Sequence, residues 1–314
     1  MQRILVIRGG AIGDFVLTLP AIRALRERFA TAHVEILGHK QIIALADHRF
    51  YADVTRSIDD AALARLFTPE SELPKAVVDY FEGFDLVLSF LSDPDKTFEQ
   101  NIKRCGVRNY IAAVPRALDS DKRHAAAQLA RALRVIGVTV TDFSAQLYPS
   151  EEDRVVAQSY VAELPGPIAA IHPGSGRPTK NWPVAKWSTL GSALLDSRCI
   201  SSIITVTGEA DRDQLAYLQD CWRGKSVRYA THLPLPHLAA IIERCSLFLG
   251  HDSGISHIAA AVGTPSVLLF GPTNPKIWAP QSKNVTVLTS STEKIEDLSE
   301  EQVFDAVRCW LATN

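Results

Sequence analysis

Short apolar runs alternate with longer amphipathic segments along the chain. Short uninterrupted apolar runs are typical of strands buried on both faces of a parallel sheet, and the longer segments are typical of the helices that cover them. In the first half the pattern predicts strands at residues 3–7, 33–37, 86–90 and 109–112 and helices at 15–29, 42–47, 72–82 and 125–135, with an early break in the first helix at Pro20. In the second half it predicts strands at 168–172, 202–207, 247–250 and 266–270 and helices at 153–163, 184–196, 211–222 and 235–244.

This alternation of strands and helices is typical of a doubly wound α/β protein. The polar, proline-containing stretch 148–167 interrupts it, and the pattern restarts afterwards. A chain of 314 residues also suits two domains better than one. We therefore expect two Rossmann-like domains, at residues 1–150 and 151–314.

The segment after the apolar run 247–250 has the features of an anion-binding turn. Asp252-Ser253-Gly254 joins a predicted strand directly to a predicted helix, whose first backbone N–H groups have no partners within the helix. These N–H groups and the positive end of the helix dipole favour a phosphate. An ordinary capped helix is the alternative, because Asp and Ser are common caps.

A second strand-to-helix turn, Arg8-Gly9-Gly10-Ala11-Ile12-Gly13-Asp14, follows the first predicted strand. Its glycines, with Glu35 at about the spacing of a ribose-binding acid, invite comparison with a dinucleotide-binding fingerprint. However, Arg8 occupies the position of the first glycine, and Asp14 would repel a pyrophosphate. The sequence therefore disfavours a dinucleotide here and leaves a carboxylate at the turn.

Composition indicates the class of protein and the compartment in which these turns occur. Hydrophobic residues make up 46% of the chain and charged residues 22%, which is typical of a soluble globular protein. No apolar run is long enough to span a membrane, and the run 4–7 is too short for a signal peptide, so we expect a cytoplasmic protein. The five cysteines are widely spaced and form no CxxC pair, which indicates reduced thiols and disfavours a zinc site.

Several short motifs together resemble one family. They are Gly13-Asp14 with Pro20, His172-Pro173-Gly174-Ser175 with Lys180 and Trp182-Pro183, Gly208-Glu209, Asp252-Ser253-Gly254 with His257, and Gly271-Pro272-Thr273. The combination resembles glycosyltransferase family 9, the ADP-heptose:lipopolysaccharide heptosyltransferases. The resemblance implies a GT-B fold, in which two Rossmann-like domains face a central cleft, and inverting transfer without a metal or a cofactor. It also implies that domain 1–150 binds the acceptor and domain 151–314 binds the ADP-sugar donor.

Inverting transfer needs a base for the acceptor hydroxyl and positive charge for the leaving diphosphate. Asp14 is the candidate base, with a helix cap as its alternative role. Lys180 is the candidate positive charge, with an ordinary surface lysine as the alternative. The remaining groups expected around the diphosphate are the hydroxyls of Ser175 and Thr179 and the backbone amides at Ser253 and Gly254.

Three further residues are expected to contact the donor. Glu209 follows a predicted strand end, where a carboxylate can accept hydrogen bonds from both ribose hydroxyls; an exposed loop acid is the alternative. Asp252 is expected to hold sugar hydroxyls. His257, one turn into the helix, is expected to pack or hydrogen-bond within the donor loop rather than transfer a proton.

Three Asp-x-Asp pairs raise the alternative of a divalent metal at the diphosphate, as in the other common glycosyltransferase architecture. The pairs are Asp93/Asp95, Asp119/Asp121 and Asp211/Asp213. All of them lie in polar loops, and Lys180 and a helix dipole already supply positive charge. We therefore expect no metal.

The net charge of −2 says little, but segment 103–134 carries eight basic residues against two acidic ones. Such a segment would attract an anionic glycolipid or glycan acceptor, and peripheral contact with the inner face of the cytoplasmic membrane follows from the same charge. The candidate acceptor-binding residues are Arg104, Arg108, Arg116 and Lys122. A solvated helix face is the alternative, and the scarcity of interleaved aromatic residues disfavours nucleic acid.

Two classes of function remain at this point. The first is a heptosyltransferase-like enzyme, and the second is a non-catalytic sugar-nucleotide-binding scaffold of envelope glycan assembly. The presence of both Asp14 and Lys180 favours the enzyme.

Overall fold

The chain divides into two compact units, Met1–Phe143 and Ser144–Asn314. The computed structural model describes residues 1–208 and 211–313, with side chains described as far as Leu311. We call the two units unit 1 and unit 2 and describe each by itself.

Unit 1 is built on one parallel sheet. Its strands are β1 (Arg3–Arg8), β2 (His33–Gly38), β3 (Val54–Ser57), β4 (Leu86–Ser89) and β5 (Tyr110–Ala112). They lie in the order β3-β2-β1-β4-β5, and β1 pairs in parallel with both β2 and β4. The chain therefore builds outward from β1 in one direction and then in the other, so the order reverses between β1 and β4. This reversal is the switch point, where ligands of doubly wound sheets bind beyond the carboxyl ends of the strands.

Helices cover both faces of this sheet, so the middle of β1 is fully buried. The helices of unit 1 are α1 (Ile12–Arg28), α2 (Lys40–Ile43), α3 (Lys75–Glu82), α4 (Thr97–Arg104) and α5 (Ala125–Ala130), with 3-10 turns at Ala61–Phe67, Asp119–Asp121 and Arg131–Ile136. α1 runs through Pro20 without a break, so the predicted break is wrong. Proline removes one hydrogen bond from a helix interior, but Pro20 and its neighbours are buried, and their packing holds the helix together.

Unit 2 repeats the same architecture. Its strands are β6 (Ile168–Ile171), β7 (Ser202–Thr207), β8 (Val227–Thr231), β9 (Leu247–His251), β10 (Ser266–Phe270) and β11 (Val285–Thr289). They are parallel and lie in the order β11-β10-β9-β6-β7-β8, which is the Rossmann order with a switch point between β6 and β9.

The helices of unit 2 are α6 (Glu151–Val161), α7 (Val184–Asp196), α8 (Arg212–Cys221), α9 (Leu235–Glu243), α10 (Gly254–Ala261), α11 (Pro275–Trp278) and α12 (Glu300–Thr313), with 3-10 turns at Pro178–Lys180 and Ile295–Asp297. One core cluster contains the fully buried side chains of Trp182, Trp187 and Trp222. Among residues 1–208 and 211–313, no helix combines the length and hydropathy that a membrane crossing requires.

The predicted α/β class and the alternation of strands and helices are confirmed. The strands that the pattern did not predict, β3, β8 and β11, all lie at sheet edges. Edge strands are half-exposed and therefore lack the continuous apolar run that marks a central strand. The pattern also missed α4, α11 and α12, and the predicted helix 125–135 is α5 followed by a 3-10 turn.

Candidate active site

Asp14 lies in the first turn of α1, directly beyond the end of β1. Ala11 is the N-cap residue, and the Asp14 carboxylate reaches back to accept the Ala11 N–H at Oδ2 (3.0 Å). Asp14 therefore stabilises the helix start as the third helical residue rather than as the cap itself. Its side chain is 25% exposed, so a substrate can still reach the carboxylate.

Gly10 makes this approach of the carboxylate to the backbone feasible. Its φ of +89° lies in the region that favours glycine, and a Cβ at this position would lie 2.9 Å from Asp14 Oδ2. The position of the Asp14 carboxylate thus explains the glycine at position 10 of the turn.

The Arg8 guanidinium is buried behind this turn, with its side chain 1% exposed. Nη2 and Nε donate to the backbone carbonyl of Asp14 (3.0 and 3.3 Å), and Nη1 donates to the carbonyl of Pro115 (2.7 Å). Burial lowers the pKa of Arg8 to about 10, and the nearby Asp14 charge opposes this shift, so Arg8 is charged at neutral pH. Sequence reasoning treated Arg8 only as a departure from a glycine fingerprint, although an arginine at the end of a buried strand was itself a signal.

The four candidate acceptor-binding residues are all exposed, but they do not lie together. Arg104 ends α4 and Arg108 precedes β5, so both lie at the amino edge of the sheet, away from Asp14. Arg116 follows β5 and is next to Pro115, whose carbonyl Arg8 holds at the carboxyl edge. The structure therefore brings Arg116 near the Asp14 turn and leaves Arg104 and Arg108 at the opposite edge.

Lys122 belongs to the loop that continues from Arg116. The Gln128 side chain of α5 holds this loop, accepting from the N–H of Leu118 (2.8 Å) and donating to its carbonyl (2.9 Å). Asp121 forms ion pairs with Arg123 and Arg131, which offsets part of the local positive charge.

The Lys180 ammonium group donates to Asp252 Oδ2. Lys180 lies in the loop after β6 and Asp252 directly follows β9, so the pair bridges the switch point of unit 2. Both side chains are largely buried, with 18% and 10% of their surfaces exposed. The two residues were predicted to contact different parts of a donor, and the structure places them in direct contact.

The hydroxyl groups of this loop differ in their surroundings. Ser175 Oγ donates to the carbonyl of Arg177 (2.9 Å), so it braces the loop, whereas Thr179 is exposed.

Gly174 lies against Asp211, because a Cβ at Gly174 would come within 1.9 Å of the Asp211 carboxylate. Asp211 also accepts the N–H of Gly208 (2.8 Å), so it joins the ends of β6 and β7.

Two histidines are buried at the carboxyl ends of β6 and β9, and His251 supports the Lys180 loop. The backbone N–H of Trp182 donates to His251 Nε2 (2.9 Å), so the proton of this imidazole is on Nδ1, which donates to the carbonyl of Gly174 (3.3 Å). Burial lowers the pKa of His251 to about 3, and it also lowers the pKa of His172, which lies against the carbonyl of Val206. Both rings are therefore neutral at physiological pH, and sequence reasoning missed the role of His251.

Ser253 caps α10, which is the alternative role that the sequence left open, and its expected contact with a donor stays a prediction. Its Oγ accepts the N–H of Ser256 (3.3 Å), and Gly254 begins the helix at the carboxyl edge of the sheet. His257 is buried within the helix, which is compatible with the expected packing role. Glu209 lies outside the described residues.

Each Asp-x-Asp pair contains a carboxylate that already bonds to the protein. Asp93 accepts the N–H groups of Phe98 and Glu99 at the start of α4, and Asp121 and Asp211 make the contacts given above. In the part of the chain that the structure describes, no group of three or more His, Cys, Asp or Glu side chains could hold a metal ion.

Two Rossmann-type sheets in one chain, with charged side chains at each switch point, define the α/β class to which GT-B glycosyltransferases belong. A family model described as glycosyltransferase family 9 (heptosyltransferase) matches residues 98–308. The chain therefore belongs to glycosyltransferase family 9.

Individual relatives agree with this assignment. Lipopolysaccharide heptosyltransferase 3 of Escherichia coli is 25% identical over 305 residues, covering 87% of this chain and 84% of the relative. The crystal structure of a family 9 glycosyltransferase from Veillonella parvula matches with a TM-score of 0.84 at 21% identity, over 100% of this chain and 98% of that one. E. coli ADP-heptose LPS heptosyltransferase II matches with a TM-score of 0.80 at 18% identity, over 100% and 99% of the two chains.

Proposed function

We propose that this glycosyltransferase moves a heptose, or a related sugar, from an ADP-sugar to a lipopolysaccharide-core or related glycan acceptor, with inversion and without a metal. The observation that carries the proposal is that each unit has its reactive charges at its own switch point. These are Asp14 in unit 1 and the Lys180–Asp252 pair in unit 2. Switch points are where doubly wound sheets bind their ligands.

The proposal of an ADP-sugar donor rests on the side chains of unit 2 and on the names of the relatives. The printed name of E. coli heptosyltransferase II includes ADP-heptose, and unit 2 has suitable partners for the diphosphate and the sugar of such a molecule. The Lys180 ammonium group and the first amides of α10 suit the diphosphate, and Asp252 suits sugar hydroxyls. Glu209 stays a prediction for the ribose.

The acceptor proposal rests on unit 1. Relatives named for lipopolysaccharide imply an anionic glycolipid, and Arg116 and Lys122 are exposed cations on the loop that Arg8 links to the Asp14 turn. We omit Arg104 and Arg108 from this site because they lie at the other edge of the sheet. The same exposed cations favour peripheral contact with the inner, anionic face of the cytoplasmic membrane.

The proposed reaction is a single displacement. The Asp14 carboxylate takes the proton of the acceptor hydroxyl as its oxygen forms a bond to the anomeric carbon of the donor. The bond from that carbon to the diphosphate oxygen breaks on the opposite face, so the configuration inverts and ADP leaves with the bonding pair. Lys180 offsets the charge that develops on the leaving oxygen.

The test is ADP release from ADP-heptose in the presence of a deacylated core acceptor, with NMR of the product at the new glycosidic bond. We expect ADP release that depends on acceptor and a product whose anomeric configuration is opposite to that of the donor. Donor binding without ADP release would instead indicate the scaffold function. Retained configuration would contradict the displacement mechanism.

A further inference from the structure

Arg8 joins three separate segments at the carboxyl edge of the first sheet. It donates to the carbonyl of Asp14 at the start of α1 and to that of Pro115 beyond β5. Nη1 also lies 3.5 Å from the carbonyl of Phe90, directly after β4, and the guanidinium carbon is 5.5 Å from the centre of the Phe90 ring. The buried Arg8 guanidinium thus links the Asp14 turn to the loop at Pro115 and Arg116 across the switch point.

We propose that Arg8 is a positioning residue that sets the distance between the catalytic base Asp14 and the acceptor-binding loop at Arg116. The inference rests on the proposed function, because it assigns Arg8 a role in that reaction. Arg8 itself is buried and acts only through the groups it holds.

The contacts of Arg8 with Asp14 support this role. The guanidinium bonds to the backbone carbonyl, which also accepts from Thr18 Oγ1 (2.7 Å), whereas the nearest carboxylate oxygen, Oδ1, is 3.8 Å away. A guanidinium bonded bidentately to the carboxylate would compete for the oxygens that must accept a proton. Arg8 instead fixes the backbone of the base and leaves Oδ1 outside hydrogen-bond distance.

The bond from Arg8 to Pro115 supports the same role on the acceptor-binding loop. Pro115 and Arg116 are consecutive, so a bond to the Pro115 carbonyl fixes where the Arg116 side chain begins. Because the planar guanidinium group presents N–H donors in several fixed directions, it can bond to carbonyls from different segments at once. A lysine keeps the charge but offers its donors from one nitrogen, so it cannot reproduce this arrangement.

The experiment compares Arg8→Lys and Arg8→Met with Asp14→Asn and with both double variants. A misplaced base costs roughly 100-fold in rate, so we expect each Arg8 variant to lower kcat by about that factor and to raise the acceptor KM about tenfold. The donor Kd, which depends on unit 2, should change less than about threefold. In the Asp14→Asn background the same Arg8 substitutions should lower kcat less than about threefold, because the group they position is already gone.

Arg26→Met is the matched control. Arg26 lies on α1, the helix that contains Asp14, and donates to the carbonyl of Ala32 and to both carboxylate oxygens of Asp53, but it lies at the far end of that helix. It should leave kcat and both substrate constants near those of the unmodified protein even where it lowers thermal stability. If Arg8→Met does not fold, Arg8→Lys, which keeps the buried charge, decides the question.

Hydrogen–deuterium exchange tests the positioning itself without turnover. In the Arg8 variants, amides at residues 11–15 and 113–118 should exchange faster together, while the rest of unit 1 is unchanged. Unchanged exchange in these segments, or additive losses of kcat with Asp14→Asn, would overturn the inference. Failure of the proposed function has a different signature, because the unmodified protein would then release no ADP with donor and acceptor.

Discussion

Lys180 and Asp252 neutralise each other across the switch point of the second sheet. Each follows a different central strand, and their side chains meet where a nucleotide diphosphate is expected. A diphosphate that binds Lys180 must therefore share the ammonium group with a carboxylate. In the proposed donor site, the carboxylate lowers the affinity for anions and can accept hydrogen bonds from sugar hydroxyls beside the ammonium group that binds the diphosphate.

Asp252→Asn should tighten the binding of ADP while slowing sugar transfer. Removing the carboxylate removes its repulsion of the diphosphate, which is worth about 1 kcal/mol, or roughly fivefold in Kd, at a partly screened site. Transfer should slow because the proposed contacts to sugar hydroxyls are lost. Calorimetric titration with ADP, set beside turnover, measures both effects. Asp196→Asn, which removes a surface partner of Lys225, is the control and should change neither.

Lys180→Ala should lose more in turnover than in binding. If the ammonium group offsets leaving-group charge, its loss costs about 2–4 kcal/mol of transition-state stabilisation, with a smaller loss in ADP affinity. Steady-state kinetics and ADP titration on the same preparation give the two values. Equal losses would mean that Lys180 only binds the donor.

Asp14→Asn should lower turnover by roughly two to four decades and keep the donor Kd within about threefold. The fold should persist, because the asparagine side-chain oxygen can still accept the Ala11 N–H. Circular dichroism checks the fold, and single-turnover kinetics check the chemistry. Near-normal turnover would leave the carboxylate with only its role at the start of α1.

Unit 2 should lose stability as the pH falls below 6.5. Burial depresses the pKa of His251 from 6.5 to about 3, so between these values the unfolded chain binds a proton that the folded protein excludes. The free energy of unfolding should therefore be unaffected by this group above pH 6.5 and fall by about 1.4 kcal/mol per pH unit below it. His172, whose pKa is also lowered by burial, adds to the slope in the same direction.

Tryptophan fluorescence in urea can measure this slope, because all five tryptophans lie in unit 2. His251→Gln should destabilise unit 2 at pH 8 but show a shallower fall toward pH 5 than the unmodified protein. His48→Gln, at an exposed position in unit 1, is the control. Parallel pH curves for the unmodified protein and His251→Gln would show that His251 is not the group responsible.

Turnover should survive treatment with a chelator. In the proposed reaction, Lys180 and the N-terminus of α10 supply the positive charge that a divalent ion provides in other architectures. The measurement is the rate of ADP release before and after exhaustive chelation and desalting. A rate lost on chelation and restored only by magnesium or manganese would contradict the metal-free proposal.

The local pattern of residues was sufficient to predict the central strands and the positions of the turns at Asp14 and Asp252. Central strands are buried on both faces, so their apolar runs are visible in the sequence, as in β1, β7 and β10. Asp14 and Asp252 could be found because each lies close to the turn that joins such a run to a helix, Asp14 as the third residue of α1 and Asp252 two residues before α10. Short-range rules of strand, turn and helix therefore determined where the candidate site residues lie along the chain.

Tertiary structure alone decided which of these groups meet. Lys180 and Asp252 are 72 residues apart and Arg8 and Pro115 are 107 apart, and each contact exists because the sheet order brings distant strand ends together. Arg104 and Arg116 are near in sequence, yet β5 separates them to opposite edges of the sheet. Strand order and side-chain contacts depend on how all strands pack at once, and a local pattern of residues does not contain that information.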